Sequence, residues 1–434
     1  RDINITTLTS TGNILVKADH DIDINGTITG DTGSNVSLFA AKTGGTNGTI
    51  VDGGGKIVMG TGDLLLSAGD GIGTSDDKIE IEGLDDLAAL TATNGIFLNN
   101  SSSGDIEIKA VTADGVTVTG VTSTTGGAIS ITNAATDKNI QVSAVVTAAS
   151  GGVTLNANDV LDIDAAVTAT GSTIDLDGKS IDIDANVAGA GNTALDASAG
   201  TIDVATTKRV TTSSGNITIT ASGEITLNDA TNGTTETVAN TGTGTITLTS
   251  SAAGVTLKDD AIKIGDGLLT ITASQDIAID SDDDQQIDSS GDITISAAGI
   301  TGTSNTLDIT GDGGADRTLS FTNTSTGGAN AALNVLTDQF DTITLVQNDS
   351  DSRLDIALST GADVIDINGS TDAAIINSVV TSTAAIDFSF ENAEASKDIT
   401  VTSLLTGAGS ATLIADRDIN ITTLTSTGNI LVKA

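Results

Sequence analysis

Residues 157–187 read ANDVLDIDAAVTATGSTIDLDGKSIDIDANV. Apolar Ile, Leu and Val alternate with Asp and Thr, and Gly, Asn, Asp or Ser interrupts the run every few residues. Alternation with a period of two in β-branched residues marks a half-buried strand. Working outward from this stretch, two versions of the alternation recur. The first opens on Gly and closes on Ala or Ser: GNILVKA at 12–18, GDLLLSA at 62–68, GDIEIKA at 104–110, GNITITA at 215–221, GTITLTS at 244–250 and GDITISA at 291–297. In GNITITA, Ile217 and Ile219 are expected inside, with Thr218 and Thr220 facing solvent. The second follows within a few residues and pairs Ile with acidic or polar residues: DIDIN at 21–25, DIDA at 162–165, IDIDAN at 181–186, EITLN at 224–228 and DIAID at 276–280. A looser third strand completes the set, such as GTITG at 26–30 or AAVTATG at 165–171.

Three short strands with polar corners use about 19–25 residues, and strands of this size cannot bury an apolar face alone. Successive coils must stack, each strand about 4.8 Å above its predecessor. The prediction is an all-β chain folded as a parallel β-helix (β-solenoid) of about 18–20 three-strand coils per repeat period. The chain has no Pro, which suits ladders bonded on both sides. Helix signals are nearly absent, and LDDLAALT at 84–91 reads as a corner or a single helical turn.

The first eighteen residues, Arg1 to Ala18 (RDINITTLTSTGNILVKA), recur unchanged as Arg417 to Ala434. The period is therefore 416 residues (417 − 1), and the chain reads as one cassette of a tandem array plus the start of the next. No linker of Pro, Ser or Gly separates Asp416 from Arg417, so the seam is expected to be ordinary coil. Regular coils are expected over 1–303 and 396–434, with 417–434 opening the next cassette. Residues 304–395 depart from the pattern and hold four of the six Phe (Phe321, Phe340, Phe388, Phe390) together with Arg317 and Arg353. They read as wider, less regular coils or as a side loop carrying a recognition patch.

Composition narrows the function. With 57 acidic residues against 17 basic, the formal charge is −40, which disfavours nucleic acid and anionic membrane surfaces as partners. No run approaches the ~18 apolar residues of a spanning helix, so membrane insertion is not expected. The apolar 38% contains no Trp or Tyr, which leaves a thin interior of branched side chains and few platforms for sugar rings. Without Cys there is neither a disulfide framework nor a thiolate metal site.

The alternation GNITITASGEITLN, and the stretch 157–187 quoted above, resemble the repeats of filamentous-haemagglutinin-like giant bacterial surface adhesins, which are β-strand-repeat proteins. The resemblance is one of repeat grammar and covers nearly the whole chain, most clearly 1–300 and 396–434. It implies a right-handed helix, export to the cell surface, and use as a stalk or adhesin.

Paired aspartates are the best candidates for chemistry. Asp21/Asp23, Asp162/Asp164, Asp182/Asp184 and Asp282/Asp284 each stand two residues apart, on one face of a strand. Two carboxylates about 5 Å apart repel by about 1 kcal/mol in water, so stacked rows would favour bound Ca²⁺, an oxygen-seeking ion. The plainer reading is a solvated acidic face whose pairs do not align between coils. Outward threonines such as Thr218/Thr220 and Thr245/Thr247/Thr249 reflect β-propensity before any binding role. Catalysis has little support: His20 is the only His, it sits at a corner, and neither catalytic residues nor an organic cofactor is expected.

The expectation is thus a structural, non-enzymatic cassette of a very large extracellular fibre or adhesin on a bacterial cell surface. Its partners are adjacent copies end to end, identical fibres alongside, and a receptor on a host or neighbouring cell. The alternative is a calcium-organised surface sheath or layer. A glycan-processing β-helix enzyme is a distant third.

Overall fold

A computed structural model describes residues 1–41, 47–228, 236–258, 261–279 and 287–298. Beyond these it describes 300–302, 307–311, 318–323, 331–335, 342–347, 353–360, 364–369, 373–381, 387–392, 399–401, 404–406, 410–415, 418–426 and 428–434. The described residues contain strands and turns but no helix, and the chain forms a parallel β-solenoid. Two compact units divide it, Arg1–Thr218 and Ile219–Ala434.

In the first unit one ladder climbs through Ile3, Ile22, Ile50, Ile72, Ile96, Ile129, Val153, Ile174 and Thr193, each in register with the next. Its steps run from 19 residues (Ile3 to Ile22) to 33 (Ile96 to Ile129). Ile22, Ile50, Ile72 and Ile96 are fully buried. Burying a side chain of this size stabilises by about 1.5–3 kcal/mol, so stacked Ile and Val are the main source of cohesion between coils. In the second unit the corresponding ladder runs Ile246, Leu269, Ile293, Leu319, Ile343, Ile365, Phe388, Ala411 and Ile430.

A coil carries one longer straight strand and two short ones, and in the first unit these roles change sides. Ile14–Ala18, Val36–Ala40, Asp63–Ala68 and Asp86–Thr91 stack as straight strands. The next coil then splits. The start of Asp86–Thr91 pairs with Ile106–Ile108, and its end pairs with Val121–Ser123. On the other side the Ile72 and Ile79–Glu82 segments converge on the single strand Ile96–Asn100. Straight strands continue there as Ile129–Asn133 and Val153–Ala157. The long step from Ile96 to Ile129 accommodates this exchange. GDIEIKA, which resembles a straight strand in sequence, therefore supplies a short one.

The same step holds an antiparallel hairpin, Ala110–Ala113 with Val116–Thr119, turned through Asp114 and Gly115 at positive φ. Val111 and Val118 pack on Leu65 and Ala88, with Phe39, Leu90 and Ala113 at the edge. The hairpin thus covers the outer face of the straight strands beneath it, and that face can be apolar too. This explains why DLLLSA does not alternate. It also corrects the reading of 84–91: Asp86–Thr91 is a strand, buried on both sides, whose uniform apolarity imitates a helical turn.

Between 304 and 395 the described strands remain parallel, and Arg353–Thr360 and Ala373–Thr381, the longest in the second unit, pair with one register shift between Ile356 and Ala357. Arg317, Phe340 and the segments where a side loop would stand lie outside the described residues.

Candidate functional site

Inward Leu161, Ile163, Ile181 and Ile183 fix the neighbouring aspartates outward, since side chains alternate along a strand. Register then stacks Gln141, Asp162, Asp182 and Asp203 in four successive coils. Asp164 and Asp184 follow directly after their strands. One carboxylate oxygen from each of Asp162, Asp182 and Asp184 lies within 4.8 Å of the others. Gln141 Nε2 donates to Asp164 Oδ2 at 2.7 Å, which leaves Asp164 at the margin of the group. Partial burial, with the charges of Asp164, Asp182 and Asp184, pushes the Asp162 carboxyl up to about 6. Burial and the repulsion of Asp184, Asp203 and Asp164 raise Asp182 as well. Close oxygens that resist full ionisation are the chemistry a hard cation relieves.

A second row runs up the straight strands of the same coils. Asn156, Asp177 and Asp196 stack in register, with Asp175 one outward position before Asp177. Burial and the charges of Asp175 and Asp196 raise Asp177, although Asn156 Nδ2 donates to it at 3.1 Å. Asp175 is raised by burial and by Asp196. Beside them is a recess of about 300 Å³ lined by Asn156, Asp177, Lys179, Asp196 and Ser198. This row is less legible in the sequence because Asp175 and Asp177 stand in a straight strand, outside the Ile–Asp grammar of the short ones.

Asp21 and Asp23 have different surroundings. Asp21 accepts from Thr49 N at 2.8 Å and Thr49 Oγ1 at 2.9 Å, and it lies 2.8 Å from His20 Nδ1. Burial pushes its carboxyl up, but the Thr49 hydrogen bonds and His20 outweigh this and hold it below the ordinary range. Its close neighbours are Asp2 and His20, which form the other compact group of metal-ligating side chains among the described residues. Asp23 stacks between Asn4 and Val51, so no acidic column forms there. Asp282 and Asp284 lie outside the described residues.

One acidic cluster carries no signal in the sequence. Asp63 and Asp86 stack in register at the strand starts, and Asp86 is 7% exposed. Lys109 Nζ sits 2.6 Å from Asp86 Oδ2 and 3.3 Å from Glu107. Burial, a hydrogen bond to Asp86 and the charge of Asp86 raise Asp63. Lys109 is raised in turn by Asp86. The cluster is an internal charge balance and offers no open coordination site. Beside the hairpin, a groove of about 420 Å³ is lined by Lys17, Phe39, Leu90 and Val116 among others.

No protein-family model, no curated protein and no solved structure matches this chain. Function is therefore read from its own residues.

Proposed function

We propose that the chain is one structural cassette of a very large tandem-repeat extracellular fibre or adhesin on a bacterial cell surface, of the filamentous-haemagglutinin-like kind. It acts mechanically and is not an enzyme. One observation carries this reading: the identical segments at the two ends take up the same strands. Ile3–Ser10, with a register break between Ile5 and Thr7, corresponds to Ile419–Ile421 and Leu424–Ser426. Ile14–Ala18 corresponds to Ile430–Lys433. A sequence that closes one cassette as coil and opens the next as the same coil suits end-to-end stacking without a linker. Electron micrographs of the native material test this. Unbroken rods with an axial repeat of about 90–100 Å are expected from the strand spacing. Beads on flexible tethers would sink the idea. Receptor contact, where it occurs, is assigned to 304–395, and deletion of that region is expected to abolish it.

A second reading, a sheath organised by Ca²⁺, draws support from Asp162, Asp182 and Asp184. In it the cation neutralises acidic rows and bridges neighbouring rods.

A further inference from the structure

We propose that the hairpin formed by Ala110–Ala113 and Val116–Thr119 is a strap. It swings off the solenoid as a unit, about fixed roots at Lys109 and Gly120, and uncovers an apolar strip while the coils beneath stay folded. The proposal goes beyond the fibre reading and does not depend on it.

The roots are built into the coils. Lys109 N donates to Leu87 O at 3.1 Å, and Ala89 N donates to Gly120 O at 3.0 Å. Gly120 N donates to Lys109 O at 3.1 Å and closes the neck of the hairpin. Lys109 Nζ is also held by Asp86, 2.6 Å away. Gly120 has a φ of +71°, and an added Cβ there would overlap the Val145 carbonyl oxygen, so the neck turns where only Gly fits. Past this neck the attachment changes. Among the described residues, the two hairpin strands pair only with each other and form a two-stranded sheet of their own. No backbone hydrogen bond joins 110–119 to a coil. A lone two-stranded hairpin is marginally stable, so this one keeps its place through side chains.

Those side chains are few. In the two hairpin strands only Val111 and Val118 are buried, against Leu65 and Ala88. Val116 is 43% exposed and lines the groove that also holds Phe39 and Leu90, so the outer strand borders open space. At the tip Asp114 pairs with Lys17, and both side chains are about half exposed. An ion pair in that setting is screened by salt and contributes little. The coils beneath are joined instead by a continuous ladder and by fully buried Leu64, Leu87 and Ala89. The most weakly held unit therefore lies over the apolar outer face. Closed, it keeps Leu65 and Ala88 from water. Open, it joins them to Phe39 and Leu90 as one apolar strip on an acidic protein.

The chain has no Cys, so a single introduced thiol reports the opening. Ala88 and Ala89 are adjacent and fully buried, but Ala88 lies under the hairpin while Ala89 stacks on Leu66 inside the coil. In the full chain, Ala88→Cys is expected to react with a maleimide at least about tenfold faster than Ala89→Cys, with melting curves showing both variants folded. Equal rates would overturn the strap, because both thiols would then wait on opening of the coil itself. Amide exchange of the unaltered protein makes the same comparison without substitution. Val111 and Val118 should exchange at least about tenfold faster than Ala89 and Val121, whose amides donate to Gly120 O and Val145 O. Equal protection would count against the proposal. Asp114→Asn should speed labelling of Ala88→Cys by about twofold and leave Ala89→Cys unchanged. Acceleration of both thiols, or of neither, would remove the Lys17–Asp114 pair as the fastening of the strap.

Discussion

Asp162 stands directly beneath Asp182 in the next coil, the first half-buried and the second exposed. Here the register that stacks Leu161 on Ile181 and Ile163 on Ile183 inside also stacks Asp162 on Asp182 outside. The favourable and the repulsive rows share one register.

Burial and repulsion together give a pH dependence. A carboxyl raised from its ordinary 3.8 to about 6 binds its proton more tightly when folded than unfolded. Stability from Asp162 is therefore present below about pH 4 and lost as pH rises through about 6. Melting followed by circular dichroism should show Asp162→Asn gaining on the order of 2 °C at pH 7, with no gain at pH 4. Equal gains at the two pH values would remove the electrostatic explanation.

Calcium is expected to do at pH 7 what protons do at pH 4. Millimolar Ca²⁺ should raise the melting temperature relative to EDTA, and the double substitution of Asp162 and Asp182 by Asn should abolish the difference. A calcium effect that survives both substitutions would place the ion elsewhere.

Lys109→Met leaves the buried Asp86 without its cation. The loss should be about 1–3 kcal/mol at pH 7, smaller at pH 4 where the Asp63 carboxyl, raised above its ordinary 3.8, is taking up its proton and the acidic cluster carries less charge. Urea titrations at the two pH values measure it, and a pH-independent loss would argue for simple packing.

The hairpin depends on an outer apolar face. Leu65→Ala should cost about 2–4 kcal/mol and expose residues 110–119 to limited proteolysis. Resistance equal to that of the unaltered protein would show that the hairpin is held by other contacts.

At Gly83, φ is +77° and an added Cβ would overlap the Met59 carbonyl oxygen. Gly83→Ala should therefore destabilise the first unit by more than about 1 kcal/mol in a denaturant titration. A neutral result would mean that the corner can shift.

Much of the fold was legible in the chain. A period of two, set by residues such as Ile181 and Ile183 against Asp182 and Asp184, fixes which side chains face inward wherever one face meets water. Spacing within a strand also places Asp162 with Asp164, and Asp182 with Asp184, on one face. The legibility ended where that condition failed. Under the hairpin both faces are covered, so Leu65, Ala88 and Leu90 carry no alternation and Asp86–Thr91 read as a turn. Asp21 Oδ1 accepts twice from Thr49, a contact that no local pattern announces.

By itself, then, the sequence determined the solenoid, the inward residues and the recurrence of one coil at two places, because each of these is written in short-range periodicity and identity. Tertiary structure alone decided which aspartates stack and where straight and short strands exchange sides. Those depend on coil length and register between residues about 19–33 positions apart, and a change of a few residues at a corner alters them without touching the pattern of any strand.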